Sequence, residues 1–121
     1  MISLSCPFRF KSKANSYRAG KGRFYVDSTV QEQEKAARKL AIDAMNAAGM
    51  TVSGAPIQIT ITITVTNKRR FDIDGCLKSL LDSMNGVVWK DDSQIISLSI
   101  SKIVEPSAAN DSTFIAIKEI L

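Results

Sequence analysis

From Ile57 to Val65 the chain alternates without a break, with Ile57, Ile59, Ile61, Ile63 and Val65 set against Gln58, Thr60, Thr62 and Thr64. Period two with β-branched residues throughout predicts a strand with one buried face. A shorter alternation opens the chain: Ile2, Leu4, Cys6, Phe8 and Phe10 against Ser3, Ser5, Pro7 and Arg9. Pro7 has no N–H for a ladder, so this strand is expected at a sheet edge or to end early. The period then changes to 3.6. Val30, Ala37, Leu40, Ala41, Ala44 and Ala48 form one apolar stripe behind Ser28-Thr29-Val30-Gln31. That tetrapeptide reads as a capping box, with Ser28 as N-cap and Gln31 reaching back, and Gly49 reads as the C-cap. A second helix is expected from Asp74 to Asn85, with Leu77, Leu80, Leu81 and Met84 inward and Asn85-Gly86 ending it. Ile96, Leu98 and Ile100 mark a third strand running towards Val104. After a turn at 106–111, residues 113–120 make a last strand that is apolar on both faces and therefore interior.

Residues 11–27 are polar and basic and hold Gly20 and Gly22, so they are read as a long mobile loop, a feature that usually serves function. The whole chain, 1–121, is thus one α+β domain: a mixed sheet of about four strands packed by two helices, in the order β-loop-α-β-α-β-β.

Composition narrows the chemistry. A chain of 121 residues that is 45% hydrophobic has enough apolar surface for one core and too much for disorder. No apolar run approaches the roughly 18–20 residues that span a bilayer. There is no histidine, which excludes His-dependent triads, imidazole proton transfer and most zinc sites. Cys6 and Cys76 form no metal-binding pair and are expected as buried reduced thiols. With no secretory signal pattern at Met1–Leu4, a cytoplasmic protein is expected, and its compactness is associated with a bacterial or phage type.

Charge is split along the chain. Residues 1–26 carry no acid but six bases, Arg9, Lys11, Lys13, Arg18, Lys21 and Arg23, with Phe8, Phe10, Tyr17, Phe24 and Tyr25 among them. Lys68-Arg69-Arg70 forms a second basic knot. Five of the twelve acids then fall between positions 72 and 92: Asp72, Asp74, Asp82, Asp91 and Asp92. A basic surface attracts a polyanion, and so long a surface exceeds what a small phosphoester substrate needs. Clustered carboxylates are hard oxygen donors suited to Mg²⁺ or Mn²⁺.

In an extended backbone Asp72 and Asp74 project to one side, with Asp74 at the helix start. Lys78 lies four residues on, and Asp82 four beyond it. If the crossover from strand through helix to strand returns Asp92 to Asp72 and Asp74, three carboxylates converge. The same residues have a plainer reading: Asp74 as an N-cap, Asp74–Lys78–Asp82 as a surface ion-pair ladder, and Asp91-Asp92 as a turn. Spacing alone leaves both open.

The segment Asp72-Ile73-Asp74-Gly75-Cys76-Leu77-Lys78, followed by Leu81-Asp82 and by Gly86-Val87-Val88-Trp89-Lys90-Asp91-Asp92-Ser93-Gln94, resembles the RusA family of Holliday junction resolvases. Asn15-Ser16-Tyr17-Arg18 and the glycine-punctuated basic stretch resemble it more loosely. The resemblance implies a small homodimeric endonuclease that binds four-way DNA junctions and uses Mg²⁺, or Mn²⁺ in its place, to nick two opposed strands symmetrically. It implies that Asp72, Asp74 and Asp92 are catalytic metal-binding carboxylates, that Asp91 is a neighbouring metal-site acid, and that Lys78 is a functional lysine. Arg9, Lys11, Lys13, Arg18, Lys21, Arg23, Lys68, Arg69 and Arg70 are expected to contact DNA phosphates, which position the nucleic acid without reading sequence. Two departures stand out. Gly75 replaces the Asn usual in the family, removing a side-chain hydrogen bond beside Asp74. Phe71 stands where a basic residue is common and reads equally as a wedge at a branch point or as partly buried core. A non-catalytic module that keeps the fold and binds branched nucleic acid is the competing expectation.

Overall fold

The computed structural model of the chain describes residues 1–12, 17–20, 23–26, 28–67 and 73–120, and for 17–20, 23–26 and Asp74 only the backbone. The described elements run β1 (Ile2–Cys6), β2 (Tyr17–Gly20), β3 (Arg23–Val26), α1 (Ser28–Ala47), β4 (Ile57–Val65), α2 (Ile73–Met84), β5 (Ile95–Val104) and β6 (Ser112–Glu119). Four strands form one mixed sheet in the order β1-β6-β4-β5, antiparallel except for β4 and β5, which run parallel across the α2 crossover. The expected α+β architecture is therefore the observed one.

The long alternating segment is β4, and its place between β5 and β6 explains its purity. Ile57, Ile59, Ile61, Ile63 and Val65 are all buried, and the intervening positions are not. Each such aliphatic side chain gains about 1.5–3 kcal/mol on leaving water, so a one-residue register slip would forfeit most of this strand's stabilisation. The last strand, β6, does lie inside the sheet, between β1 and β4. β1 is an edge strand that stops at Cys6, just before Pro7 and short of the expected Phe10. Phe10 is buried nonetheless and packs edge-on against Phe8, with ring centres 5.1 Å apart. β5 is the other edge, and Ile96, Leu98, Ile103 and Val104 remain exposed along it.

The helices cover the buried face of the sheet. α1 buries Val30, Ala37, Ala41 and Met45, with Leu40 and Ala44 packed beside them. Met45 extends the expected stripe, while Ala48 lies past the helix end and is exposed. Ser28 is the first helical residue rather than the residue before the helix, a shift of one position at a frayed end. The C-terminus is a Schellman motif: Gly49 N–H donates to the Asn46 carbonyl at 3.1 Å and Met50 N–H to that of Met45 at 2.9 Å. Gly49 supplies the required left-handed conformation at φ 66°.

α2 joins the core through Cys76, Leu80 and Met84, with Ser79 and Ser83 also buried. Ser83 Oγ donates to the Leu80 carbonyl at 2.6 Å, and Ser79 Oγ donates to Glu34 Oε1 of α1 at 3.2 Å. Arg38 of α1 donates to the carbonyls of Asp82 and Asn85 at 3.0 and 3.2 Å, satisfying the open end of α2. Cys6 and Cys76 are buried and form no disulfide, as expected, and burial pushes the Cys6 thiol up to about 11, which makes it unreactive.

The stretch read as a loop is different. Within it β2 and β3 pair antiparallel, from Tyr17↔Val26 to Gly20↔Arg23. Four residues of Tyr-Arg-Ala-Gly are too short and too polar to show an alternation, so the hairpin escapes a periodicity argument. The glycine-containing two-residue gap between the strands was its one visible signal.

Candidate active site

The second carboxylate pair lies on a short turn that the chain builds with care. α2 ends at Met84, and the backbone reverses through Gly86, which takes φ 79° and donates its N–H to the Trp89 carbonyl at 2.7 Å. Trp89 is completely buried. Its neighbours are fixed to Ser53: Ser53 N–H donates to the Val88 carbonyl at 2.9 Å, and Lys90 N–H donates to the Ser53 carbonyl at 3.2 Å. A single turn of 3₁₀ helix, Asp92–Gln94, then leads into β5.

Asp91 caps that turn. Its Oδ2 accepts the Ser93 N–H at 3.0 Å, and Gln94 Oε1 accepts the Asp91 N–H at 2.9 Å, closing a reciprocal capping box. The hydrogen bonds from Ser93 hold the Asp91 carboxyl below the usual carboxylate range. Gln94 does more than cap. Oε1 also accepts the Lys90 N–H at 2.8 Å, and Nε2 donates to the carbonyls of Ser53 and Ala55, both at 2.9 Å. All four hydrogen-bonding positions of one amide thus tie the turn to the segment leading into β4. Replacing Gln94 with Ala is expected to cost about 2–3 kcal/mol, since the Ala55 carbonyl loses its donor and the Lys90 and Asp91 N–H groups lose their acceptor, while the Ser53 carbonyl keeps the Lys90 N–H. Urea unfolding followed by circular dichroism measures this.

Asp92 is half-buried and points back at the tryptophan. Trp89 Nε1–H donates to Asn85 Oδ1 at 2.6 Å and to Asp92 Oδ1 at 3.2 Å. Asp92 Oδ2 has no hydrogen-bond partner among the described residues. Asp92 therefore stands beside the C-terminal end of α2, whereas the backbone of Asp74 lies in its first turn. Twelve residues of α-helix extend about 18 Å. The crossover thus leaves these two positions at opposite ends of α2 rather than returning Asp92 to Asp74. Asp72, with Lys68, Arg69, Arg70 and Phe71, lies outside the described residues, as does the Asp74 side chain. Among the described residues no three acids or cysteines converge on a metal position. Gly75 is helical despite its low propensity.

Lys78 extends from the exposed side of α2 and pairs with Asp82 at 3.6 Å, the expected i,i+4 contact. Of the basic residues, Arg9 lines an open groove of about 420 Å³ with Pro7, Phe8, Thr66, Ala109, Asn110 and Asp111. Arg9 Nε lies 3.9 Å from Asp111 Oδ2, and Asp111 Oδ1 accepts the Thr66 N–H at 2.9 Å. The groove therefore sits at the carboxyl end of β4, where the chain departs towards Asp72. Gln33 of α1 fixes its other wall by donating to the Arg9 carbonyl at 3.0 Å and accepting the Lys11 N–H at 2.8 Å. Lys13 and Lys21 lie outside the described residues; Arg18 and Arg23 are placed on β2 and β3 by backbone alone.

The family model of endodeoxyribonuclease RusA matches residues 7–118, nearly the whole chain. The chain belongs to the RusA family. A search of the curated proteins finds no match. Membership makes the chain a representative of a Holliday junction endodeoxyribonuclease family, and the match spans both the Arg9 groove and the Asp91–Asp92 turn. What sequence reasoning did not find in this RusA domain is the support beneath the turn, Asn85 and the hydrogen-bonding roles of Trp89 and Gln94, and Gln33 behind the Arg9 groove. A lone tryptophan in a polar turn was the available signal, because a buried indole needs an acceptor.

Among the described residues no helix is long and apolar enough to cross a membrane.

Proposed function

We propose that this RusA domain is a divalent-cation-dependent, structure-selective endonuclease that works as a homodimer on four-way DNA junctions and nicks two opposed strands. The observation that carries the reading is Asp92, a half-buried carboxylate held through one oxygen by a buried indole, with the other oxygen uncommitted among the described residues. A hard anionic oxygen in that setting fits Mg²⁺ or Mn²⁺. Asp72, Asp74 and Asp92 are the residues assigned to hold the ion; because Asp74 and Asp92 lie at opposite ends of α2 in one chain, one ion would take Asp92 from one copy of the dimer and Asp72 and Asp74 from the other, with Asp91 beside Asp92 as cap of the turn. A bound divalent ion supplies charge stabilisation at a phosphate and a more acidic water. Lys78 is assigned to the phosphate, for which it must leave Asp82; an exposed pair of this kind is worth little, so exchange is easy. Arg9, Lys11, Lys13, Arg18, Lys21, Arg23, Lys68, Arg69 and Arg70 hold the DNA backbone. Symmetric nicking needs two equivalent sites, which a two-fold dimer provides.

Affinity for a junction is accordingly expected to fall about a thousandfold between 50 and 200 mM salt, as for six or more phosphate contacts. Fluorescence anisotropy with a labelled junction measures it, and a flat salt response would remove the electrostatic assignment. The function itself is tested with a synthetic four-way junction and a matched linear duplex, each with Mg²⁺, Mn²⁺ or EDTA. Paired nicks near the branch point, dependent on metal and absent from linear duplex, are the expected result. Tight junction binding without incision under either metal would instead establish a binding module, with Gly75→Asn the substitution to restore turnover.

A further inference from the structure

We propose that Trp89 is a positioning residue for Asp92, its indole N–H holding one carboxylate oxygen so that the other is presented to a divalent cation. The proposal rests on the reading of Asp92 given above. An indole has a single N–H, and Asn85 Oδ1 at 2.6 Å already satisfies it. Burial of the ring therefore does not require a second acceptor. Asp92 Oδ1 is nevertheless brought to 3.2 Å from the same nitrogen.

The donor cannot swing away. Trp89 is fully buried, and the residues on either side of it are bonded to Ser53. Asp92 is held from its own side as well, since the turn that carries it is capped by Asp91 and tied down by Gln94. A carboxylate oriented in this way by a rigid donor meets a cation without first paying to order its side chain. Lys78 and Asp82 take no part in this arrangement, because their pairing lies on the exposed side of α2.

The sequence supplies a direct reporter. Trp89 is the chain's one tryptophan, so its emission is the protein's indole emission. A cation on the Asp92 carboxylate neighbours the ring, and paramagnetic Mn²⁺ quenches it. Mn²⁺ titrated into the whole protein without DNA is expected to quench the emission in a saturable way, and Asp92→Asn is expected to abolish that response.

Two variants then remove the donor. Trp89→Phe keeps an aromatic ring. Replacement of Trp89 by 3-benzothienylalanine keeps the bicycle and exchanges N–H for sulfur, which leaves the core filled if the phenylalanine variant folds poorly. In the variants that circular dichroism shows to be folded at the assay temperature, Mn²⁺ affinity, read as free Mn²⁺ by electron paramagnetic resonance, is expected to weaken about tenfold. That is the low end for loss of a hydrogen bond supporting a metal ligand, as befits a shared and rather long contact. Wild-type Mn²⁺ affinity in the folded benzothienyl variant would overturn the positioning role. Wild-type Mn²⁺ affinity in Asp92→Asn would overturn the underlying assignment of Asp92, and the two failures are thereby told apart.

Discussion

Asp92→Asn is expected to reduce incision of a four-way junction by a hundredfold or more, with junction affinity and melting temperature close to those of the unaltered protein. The substitution is nearly isosteric. The amide oxygen still accepts the Trp89 N–H, so the contact at 3.2 Å survives and the turn has no reason to move. What disappears is one negative charge, on which a cation-dependent step depends for several kcal/mol, and each 1.36 kcal/mol is a factor of ten in rate. The adjacent residue is the control. Asn caps a helical turn about as well as Asp, so Asp91→Asn keeps the bond from Ser93 and is expected to retain activity within about threefold. The comparison is made by timed incision of a labelled junction with saturating Mg²⁺, alongside anisotropy measured in EDTA. Equal losses at the two positions would mean that both carboxylates serve the ion; no loss at Asp92 would remove it from the site.

Most of the fold was legible because the strongest periodicities belong to the elements with the clearest burial. The alternation of Ile57–Val65 could only be a strand with one dry face, and it proved to be buried at every second position. The two-sided apolar character of residues 113–120 placed β6 inside the sheet, where it is found. Edges and short elements were less legible, because neighbours decide them. Nothing in Ile96, Leu98 and Ile103 distinguishes an exposed edge from an interior strand; their exposure follows from the position of β5 at the margin of the sheet. The β2–β3 hairpin was hidden by its polarity and its brevity.

The candidate site divides along similar lines. The types and spacing of Asp72, Asp74, Asp91 and Asp92 were enough to suggest a cation, since chemistry is carried by residue identity. Their arrangement was not readable, because it depends on which way α2 runs. A parallel crossover returns the helix against the strand direction, so Asp92 arrives beside Asn85 at the C-terminal end of α2 and not beside the first turn that holds Asp74. The division of labour between the adjacent acids was equally invisible. Asp91 faces Ser93 and Asp92 faces Trp89, and only the local turn makes one a cap and leaves the other with an oxygen uncommitted among the described residues.

Trp89→Ala tests whether that turn is as firmly anchored as its contacts imply, and is expected to cost about 4 kcal/mol of stability. Truncating a fully buried Trp leaves a cavity in the core to which Met84 and Val88 also belong, and large-to-small changes of this kind cost about 3–5 kcal/mol. Asn85 Oδ1 and Asp92 Oδ1 also lose their common donor, though their partial access to water limits that part of the loss. For a domain of 121 residues the total corresponds to a fall in melting temperature of roughly 10–20 °C. Domain stabilities lie at about 5–15 kcal/mol, so the variant should fold at low temperature and lose much of its margin. Trp89→Phe refills most of the volume and is expected to cost less than half as much. Far-ultraviolet circular dichroism is the appropriate readout, since the substitution removes the chain's one indole. A cost below about 1 kcal/mol for Trp89→Ala would show that the ring is not a core residue, and the rigidity attributed to Asp92 would go with it.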